Sequence, residues 1–336
     1  MSRTKKTCER KVFKFRLEPT TEQEALLHRM AGARRWVYNW ALARRVETYK
    51  TTGESVPWAD LSKELTVLKR QTDTAWLREV DSQLLQQALA DEQHAFCNFF
   101  EGRAKFPRFK SKKQATQSFR IPQRVTLHDG KVHIPKVGAV KVRQSQAVDL
   151  PLKSATFKLN ARRQWFVTLV AEFALPVVPL PVVTVDTTVG VDVGLSSFLT
   201  TSDGEQIAAP RIFRSAERKL KRAQHILSRR QQGSRNRTKA KAAVARVHGK
   251  TADRRTDFCH KISLGLVQRY AAVCCEDLNV KGLARTKLAK SVLDAAHGEL
   301  FRQITYKARW NSRHAVFVGR WFPSSQLCST CGYQYK

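Results

Sequence analysis

Hydrophobic positions change period several times along the chain, and each change predicts a new kind of element. Lys11 to Arg16 interleaves Val and Phe with basic residues, a period of two that predicts a short strand closed by Pro19. Thr21-Glu22-Gln23-Glu24 reads as a capping box, the Thr hydroxyl and the Glu carboxylate satisfying each other's backbone donors at a helix start. Leu26, Leu27, Met30, Trp36, Val37 and Trp40 follow at helical spacing. Gly53 and Pro57 interrupt, and a second helix is expected from near Asp60. Leu85, Leu89, Phe96, Phe99 and Phe100 predict a third helix ending at Gly102, so residues 20–103 form a small helical bundle within a domain 19–116.

From Gln117 the period returns to two. Val125 and Leu127 oppose Val132 and Ile134 across Asp129-Gly130, a strong hairpin signal. Val140 with Val142, Phe157 with Leu159, and Phe166 to Ala171 predict further strands of a small β-barrel that strand 1–18 joins. Pro176, Pro179 and Pro181 predict a stiff linker, closing a segment 117–183.

The next stretch organises the rest, residues 184–336. Val189, Val191 and Val193 alternate with Gly190, Asp192 and Gly194, a strand with one apolar face and a single carboxylate between two glycines. Asp203-Gly204 marks a turn, so two antiparallel strands are expected with Asp192 inside the first. The glycines are expected to leave room beside Asp192 for a bulky, charged ligand. A two-helix excursion with one apolar seam follows over about 211–262, broken at Gly233-Ser234. Ala271 to Asn279 is a short apolar run ending in Glu276 and Asp277, the pattern of a buried strand with acids at its C-terminal end. A helix is expected from about Ser291 to Trp310, and a last strand over Ala315–Val318. This order matches an RNase H-like sheet, in which the first and fourth strands lie side by side and parallel. Asp192 and Glu276 then converge. Two close carboxylates repel unless cations separate them, and Mg²⁺ prefers carboxylate and phosphate oxygens.

Charge sharpens the picture. The 336 residues carry 61 Lys and Arg against 28 Asp and Glu, a net +33. The excess runs through the whole chain, which points to a polyanion with many phosphates neutralised together. No stretch is long and apolar enough to span a bilayer and the N-terminus lacks a signal-peptide core, so nucleic acid in the cytoplasm is expected rather than a membrane surface. No GxxxxGK[ST] or GxGxxG loop occurs, which argues against a nucleotide cofactor.

Phosphate contacts are expected from Lys14 and Arg16 on the first strand, Arg34 and Arg35 on the first helix, and Arg120. Gln86 and Gln87 suit either plain surface or base-edge reading. Lys105 to Lys113 holds five cations, among them Arg108, Lys110, Lys112 and Lys113, with Phe106 and Phe109 between them. It suits base stacking, or a basic loop pinned by its Phe rings. Arg211 to Lys261 carries seventeen Lys and Arg against Glu217, Asp253 and Asp257, with Lys219, Arg222, Arg229, Arg230, Arg235 and Arg237 as candidates. Of the seven cysteines, Cys8, Cys97, Cys259, Cys274 and Cys275 read as reduced core-filling residues, whereas Cys328 and Cys331 have metal-ligand spacing.

Motifs in order make a family resemblance. Phe13-Lys14-Phe15-Arg16-Leu17-Glu18-Pro19-Thr20, Tyr38-Asn39-Trp40-Ala41-Leu42, Phe106 to Lys112 and Gln117 to Ile121 are similar to the opening of the transposon-encoded OrfB (TnpB) proteins of the IS200/IS605 and IS607 groups. Gly190 to Gly194 resembles their first RuvC motif, Glu276-Asp277-Leu278 the second, and Pro323-Ser324-Ser325 with Cys328-Ser329-Thr330-Cys331-Gly332 the entry to their zinc ribbon. The resemblance implies an RNA-guided DNA endonuclease related to type V CRISPR effectors. It implies a helical recognition domain, a β-barrel wedge domain and a RuvC domain ending in half a zinc ribbon at about 323–336. Its partners would be a guide RNA from the transposon end and a duplex DNA target beside a short motif, and RuvC would cut with Mg²⁺.

That family continues into a second CxxC and a third RuvC motif whose Asp completes the catalytic trio, and this sequence stops before both. Zn²⁺ needs four ligands, so Cys328 and Cys331 are half a site unless another chain supplies the rest. With Asp192 and Glu276 alone, activity is expected to fall by about a thousandfold or more. An incomplete record of an intact nuclease, a truncated gene, and a guide-binding protein that does not cut all fit the ending. A different class also stands: a nucleic-acid-binding accessory or structural protein without chemistry. The acid pair discriminates, because a pure binder has no use for carboxylates where phosphates arrive.

Overall fold

The computed structural model describes residues 8–112, 117–174, 180–319, 322, 331, 333 and 334. The chain divides into two compact units, Met1–Ala174 and Leu175–Lys336.

The first unit is built on β1 (Cys8–Glu18), longer than the sequence suggests because its alternation is one-sided: Phe13, Phe15 and Leu17 are buried while Lys14 is exposed. Helix α1 (Thr21–Thr52) starts one residue earlier than expected, with Thr20 as its N-cap. Thr20 Oγ1 accepts from Gln23 N–H (3.3 Å), and Gln23 Oε1 accepts from Thr20 N–H (3.1 Å), so the capping box uses Gln23. Thr20 is extended, the backbone form an N-cap needs. The helix stops at Gly53, whose φ of 75° is left-handed. Then come α2 (Trp58–Leu68), a 3₁₀ helix (Thr72–Glu79) that the hydrophobic pattern does not reveal, and α3 (Ser82–Phe100), capped by Asp81.

The strands are β2 (Gln117–Ile121), β3 (Thr126–His128), β4 (Lys131–Ile134), β5 (Gly138–Arg143), β6 (Leu152–Leu159) and β7 (Trp165–Ala174). They join β1 in one antiparallel sheet of order β2-β6-β7-β1-β5-β4-β3. Asp129 and Gly130, both at positive φ, make the predicted hairpin turn between β3 and β4. Among the described residues no pairing of β2 with β3 closes the sheet, so the expected small β-barrel is a seven-stranded half-barrel sheet with two edges. Leu27, Met30 and Leu84 from the helices share one core with Phe119, Phe157 and Trp165 from the sheet. The expected boundary at 116/117 therefore runs inside a single core.

Glu92 of α3 lies wholly buried in that unit, 3.2 Å from Arg45, whose guanidinium also covers the Phe96 ring at 5.5 Å. Burial pushes the Glu92 carboxyl up to about 7 against the pull of Arg45. With the folded value raised, the unfolded chain gives up its proton first, so stability is lost as pH rises from about 4.5 to about 7. Glu92→Gln cannot ionise. Its stability relative to the unaltered protein is expected to rise between pH 5 and pH 8, as thermal unfolding followed by circular dichroism would read.

The second unit holds β8 (Thr188–Asp192), β9 (Ser197–Thr201), β10 (Gln206–Ala208), β11 (Ala272–Glu276) and β12 (His314–Val318), in the order β10-β9-β8-β11-β12. β8, β11 and β12 run parallel, while β9 and β10 are antiparallel to their neighbours. Asp192 ends β8 rather than sitting inside a longer strand, and Asp203-Gly204 joins β9 to a third strand, β10. Helices α4 (Ile212–Ser228) and α5 (Arg235–Arg269) form the predicted excursion, with Ser234 capping α5. After β11 come α6 (Val280–Leu283), α7 (Ala289–Ala295) and α8 (His297–Trp310). The single helix expected from Ser291 is broken by Ala296 at φ 58°. The break lets Asp294 cap a different helix: its carboxylate accepts from the N–H groups of Phe213 (2.7 Å) and Arg214 (3.2 Å), where α4 has no cap of its own. Arg255 pairs with the same carboxylate, tying α7 to α4 and α5.

Candidate active site and nucleic-acid surfaces

Val189 and Val191 are buried on one face of β8, and Val273 and Cys275 are buried on β11. Anchored by those side chains, β8 and β11 pair in parallel with Cys274 opposite Gly190 and Cys275 opposite Val191. The next step in each strand is Asp192 and Glu276. The two acids therefore stand at adjacent C-terminal strand ends, the convergence the sequence predicts. Asp192 is exposed and Glu276 half-buried. Both line a cleft of about 320 Å³ with Gly190, Thr200, Ser202, Cys274 and Val318, and among the described residues no Lys, Arg or His lines it. In a protein of net charge +33, a cleft whose charges among the described lining residues are two carboxylates suits a hard divalent cation. Among the described residues no cluster of three or more His, Cys, Asp or Glu suited to a metal gathers anywhere.

The glycines beside Asp192 act differently from expectation. A Cβ on Gly194 would lie 2.9 Å from the Ser197 carbonyl oxygen, so this glycine lets the chain pass close to itself. At Gly190 a Cβ would meet Ser202, whose Oγ accepts from the Gly190 N–H at 3.1 Å. Gly190 lines the cleft, and Gly194 is not among its lining residues. Asp203 is a turn residue as expected, and the Tyr270 hydroxyl donates to it at 2.5 Å, which raises the Tyr270 pKa. His297, unremarkable in sequence, is buried at the start of α8 against Phe198, with ring centroids 5.3 Å apart. Burial lowers its pKa, opposed by the backbone of Gly194 and Phe198 and the charge of Asp192. Burial pushes the thiols of Cys259 up to about 11 and Cys275 up to about 12, as inert core cysteines require. Cys331 is exposed, while Cys328, the Pro323-Ser324-Ser325 motif and Lys113 lie outside the described residues.

The candidate nucleic-acid residues divide by environment. Arg34 pairs with Asp91 at 2.5 Å, and Gln87 donates to the same carboxylate. Lys110 is half-buried with Nζ 3.6 Å from the Tyr38 ring centroid, and burial lowers its pKa to about 8. Its backbone is clamped by Asn39 through bonds of 3.0 and 2.8 Å, so the loop is pinned by an amide rather than, as one of the two sequence readings has it, by two Phe rings buried in the core. Phe106 packs edge-on against Phe96 and Phe99, whereas Phe109 stays exposed between Arg108 and Lys110. Arg237 donates to the carbonyls of Leu227 and Arg230 and caps the end of α4. Arg120 reaches Ser154 Oγ at 3.3 Å, Lys14 Nζ lies 5.0 Å from the Phe166 ring, and Arg16 is half-buried. Gln86, Arg108, Lys112, Lys219, Arg222, Arg229, Arg230 and Arg235 are exposed, and Arg35 is half-buried.

Between α4 and α5 the structure opens a groove of about 600 Å³ that the sequence reading missed as a groove. Lys219 and Arg222 line it from α4, Arg246, Lys250 and Arg254 from α5, over a floor that includes Ala216, Ala223, Ala240 and Ala243. Among the described residues none of these five cations has an ion-pair partner. Glu217 pairs instead with Lys290 and Arg214, and Asp257 with Lys261. The signal was present in sequence: 246, 250 and 254 are four apart, one stripe on a helix.

Residues 171–287 match the OrfB_IS605 family, described as "Probable transposase". Residues 10–54 match its helix-turn-helix domain and 297–336 a Cas12f1-like TNB domain. A curated protein of Streptomyces pristinaespiralis named "Putative RNA-guided DNA endonuclease" is 40% identical over 328 residues, covering 96% of this chain and 81% of that protein. Its counterpart InsQ of Escherichia coli K12 is 33% identical over 96% of this chain and 84% of its own length. A solved structure titled "Cryo-EM structure of the Cas12f1-sgRNA-target DNA complex" superposes with a TM-score of 0.48 and 11% identity, over 98% of this chain and 92% of that one. With the 40% and 33% identity to those two relatives sustained over nearly its whole length, this chain belongs to the IS605-type OrfB transposase family.

Proposed function

We propose that the protein is an RNA-guided DNA endonuclease, as its relatives are named, with hydrolysis at the Asp192–Glu276 cleft. The observation that carries the reading is that cleft: two acids at adjacent ends of parallel strands, with no cation among its described lining residues, in a strongly basic protein. Asp192 and Glu276 would hold Mg²⁺. A bound metal pair would polarise the phosphodiester and lower the pKa of the attacking water. The residues themselves contribute position. β8 and β11 fix the two carboxylates through their buried valines and Cys275, and Thr200, opposite Asp192 in the sheet register, forms the cleft wall. The α4–α5 groove would hold the phosphate backbone of a guide RNA or its hybrid with DNA. Base pairing would supply the target sequence, and the protein would read a short motif beside it.

The test is to express the chain with RNA from its own genomic flank and recover what co-purifies. The complex is then offered plasmids bearing the matching target beside randomised bases, with Mg²⁺. Guided, metal-dependent cleavage is expected. RNA retained without cleavage would favour the guide-binding alternative, and no retained RNA would sink the guided reading.

A further inference from the structure

Three indoles meet on the helical side of the first unit. Trp36 and Trp40 stand one turn apart on α1 with ring planes within 2° and centroids 6.4 Å apart. Trp76 of the 3₁₀ helix meets Trp36 edge-on at 5.8 Å. The helical spacing of Trp36 and Trp40 assigns both to the core, yet both are half-buried and Trp76 is 38% exposed. Together they line a cavity of about 640 Å³. Aromatic faces left open beside a cavity are surfaces on which another ring can stack.

The charges around the cleft say which ring. Glu79, its one lining acid, is held by Arg29 at 3.0 Å, while Arg35 has no carboxylate partner among the described residues. Two residues past Trp76, Arg78 joins Lys69 and Arg70 around a second cavity of about 540 Å³ that no acid lines. A cationic guest such as a methylated lysine would meet repulsion here. An anion carrying a flat ring would not.

We propose that the tryptophan cleft is a stacking pocket for one unpaired base of a single-stranded nucleic acid. Arg35 and the Lys69–Arg70–Arg78 cluster hold the adjoining phosphates. The proposal rests on the reading of the chain as a nucleic-acid binder and adds a site remote in sequence from Asp192 and Glu276.

The test uses the full chain and fluorescein-labelled 12-mers, as RNA and as DNA, each beside a version with abasic central positions, followed by fluorescence anisotropy. The base-bearing strand is expected to bind about tenfold or more tighter than the abasic one. Trp76→Ala should erase that preference while leaving abasic affinity unchanged, and Trp76→Phe should restore most of it. Arg78→Gln should weaken both strands alike. Whichever of RNA and DNA shows the larger base preference is the natural source. An unchanged preference in Trp76→Ala, an equal loss on both strands, or tighter binding of a trimethyl-lysine peptide than of any oligonucleotide would overturn the proposal. A chain that never cleaves DNA can still show the preference, so the two readings fail separately.

Discussion

Asp192→Ala is expected to reduce guided DNA cleavage by about a thousandfold or more while leaving RNA and DNA binding intact. Asp192 is exposed at the last position of β8, and the buried Val189 and Val191 hold that strand without it, so the fold should survive. Glu276→Gln should behave the same way, keeping shape and removing charge. Because the two acids act as one unit, the double variant should be little worse than either single one. Asp192→Lys sharpens the test: it adds a cation where phosphates arrive, so binding should hold or improve as cleavage disappears. Single-turnover cleavage beside anisotropy of the same complex reads both. Equal loss of binding and cleavage would show that the cleft holds nucleic acid rather than metal.

Exchanging Lys219, Arg222, Arg246, Lys250 and Arg254 together for Gln is expected to weaken nucleic-acid binding by about a hundredfold at moderate salt. Each phosphate contact contributes a slope of roughly 0.7 to 0.9 to the fall of log affinity with log salt, so the slope should shrink by about four. These side chains project from exposed helix positions, and the seam holding α4 to α5 is apolar, with Leu220 and Val247 buried in it. Their removal should therefore spare the fold. Lys261→Gln is the control: its ammonium already pairs with Asp257 at 2.8 Å, and the salt slope should barely change. Anisotropy titrations across a salt series measure all three proteins. An unchanged slope in the fivefold variant would move the phosphate contacts elsewhere.

Much of the second unit was legible because its signals are local. Alternating valines, a turn at Asp203-Gly204, a Gly233-Ser234 break and an apolar run ending in Glu276 each declare an element within a few residues. The β3–β4 hairpin was legible for the same reason, since Asp129 and Gly130 both tolerate left-handed backbone. The break at Ala296 was hidden: alanine favours helix, yet Ala296 is left-handed here and ends α7, from which Asp294 reaches across to cap α4. The 3₁₀ helix was hidden too, because eight residues at about three per turn are too short a run to set a readable hydrophobic pattern.

By itself the sequence determined the family motifs, the basic partner surface in outline and the two acids that define the candidate site. These depend on residue type and order. Only tertiary structure decided which cations are available. Arg34, Lys110 and Arg237 carry the same charge in sequence as Lys219 or Arg254. Folding gives the first three an acid, an aromatic face or a helix end and leaves the others unpaired along a groove. It likewise decided that Trp36 and Trp40 open onto a cavity, and that Gly194 serves a close backbone approach. Helical or strand period says which face of an element a residue occupies, but whether another element covers that face is settled by contacts far apart in the chain.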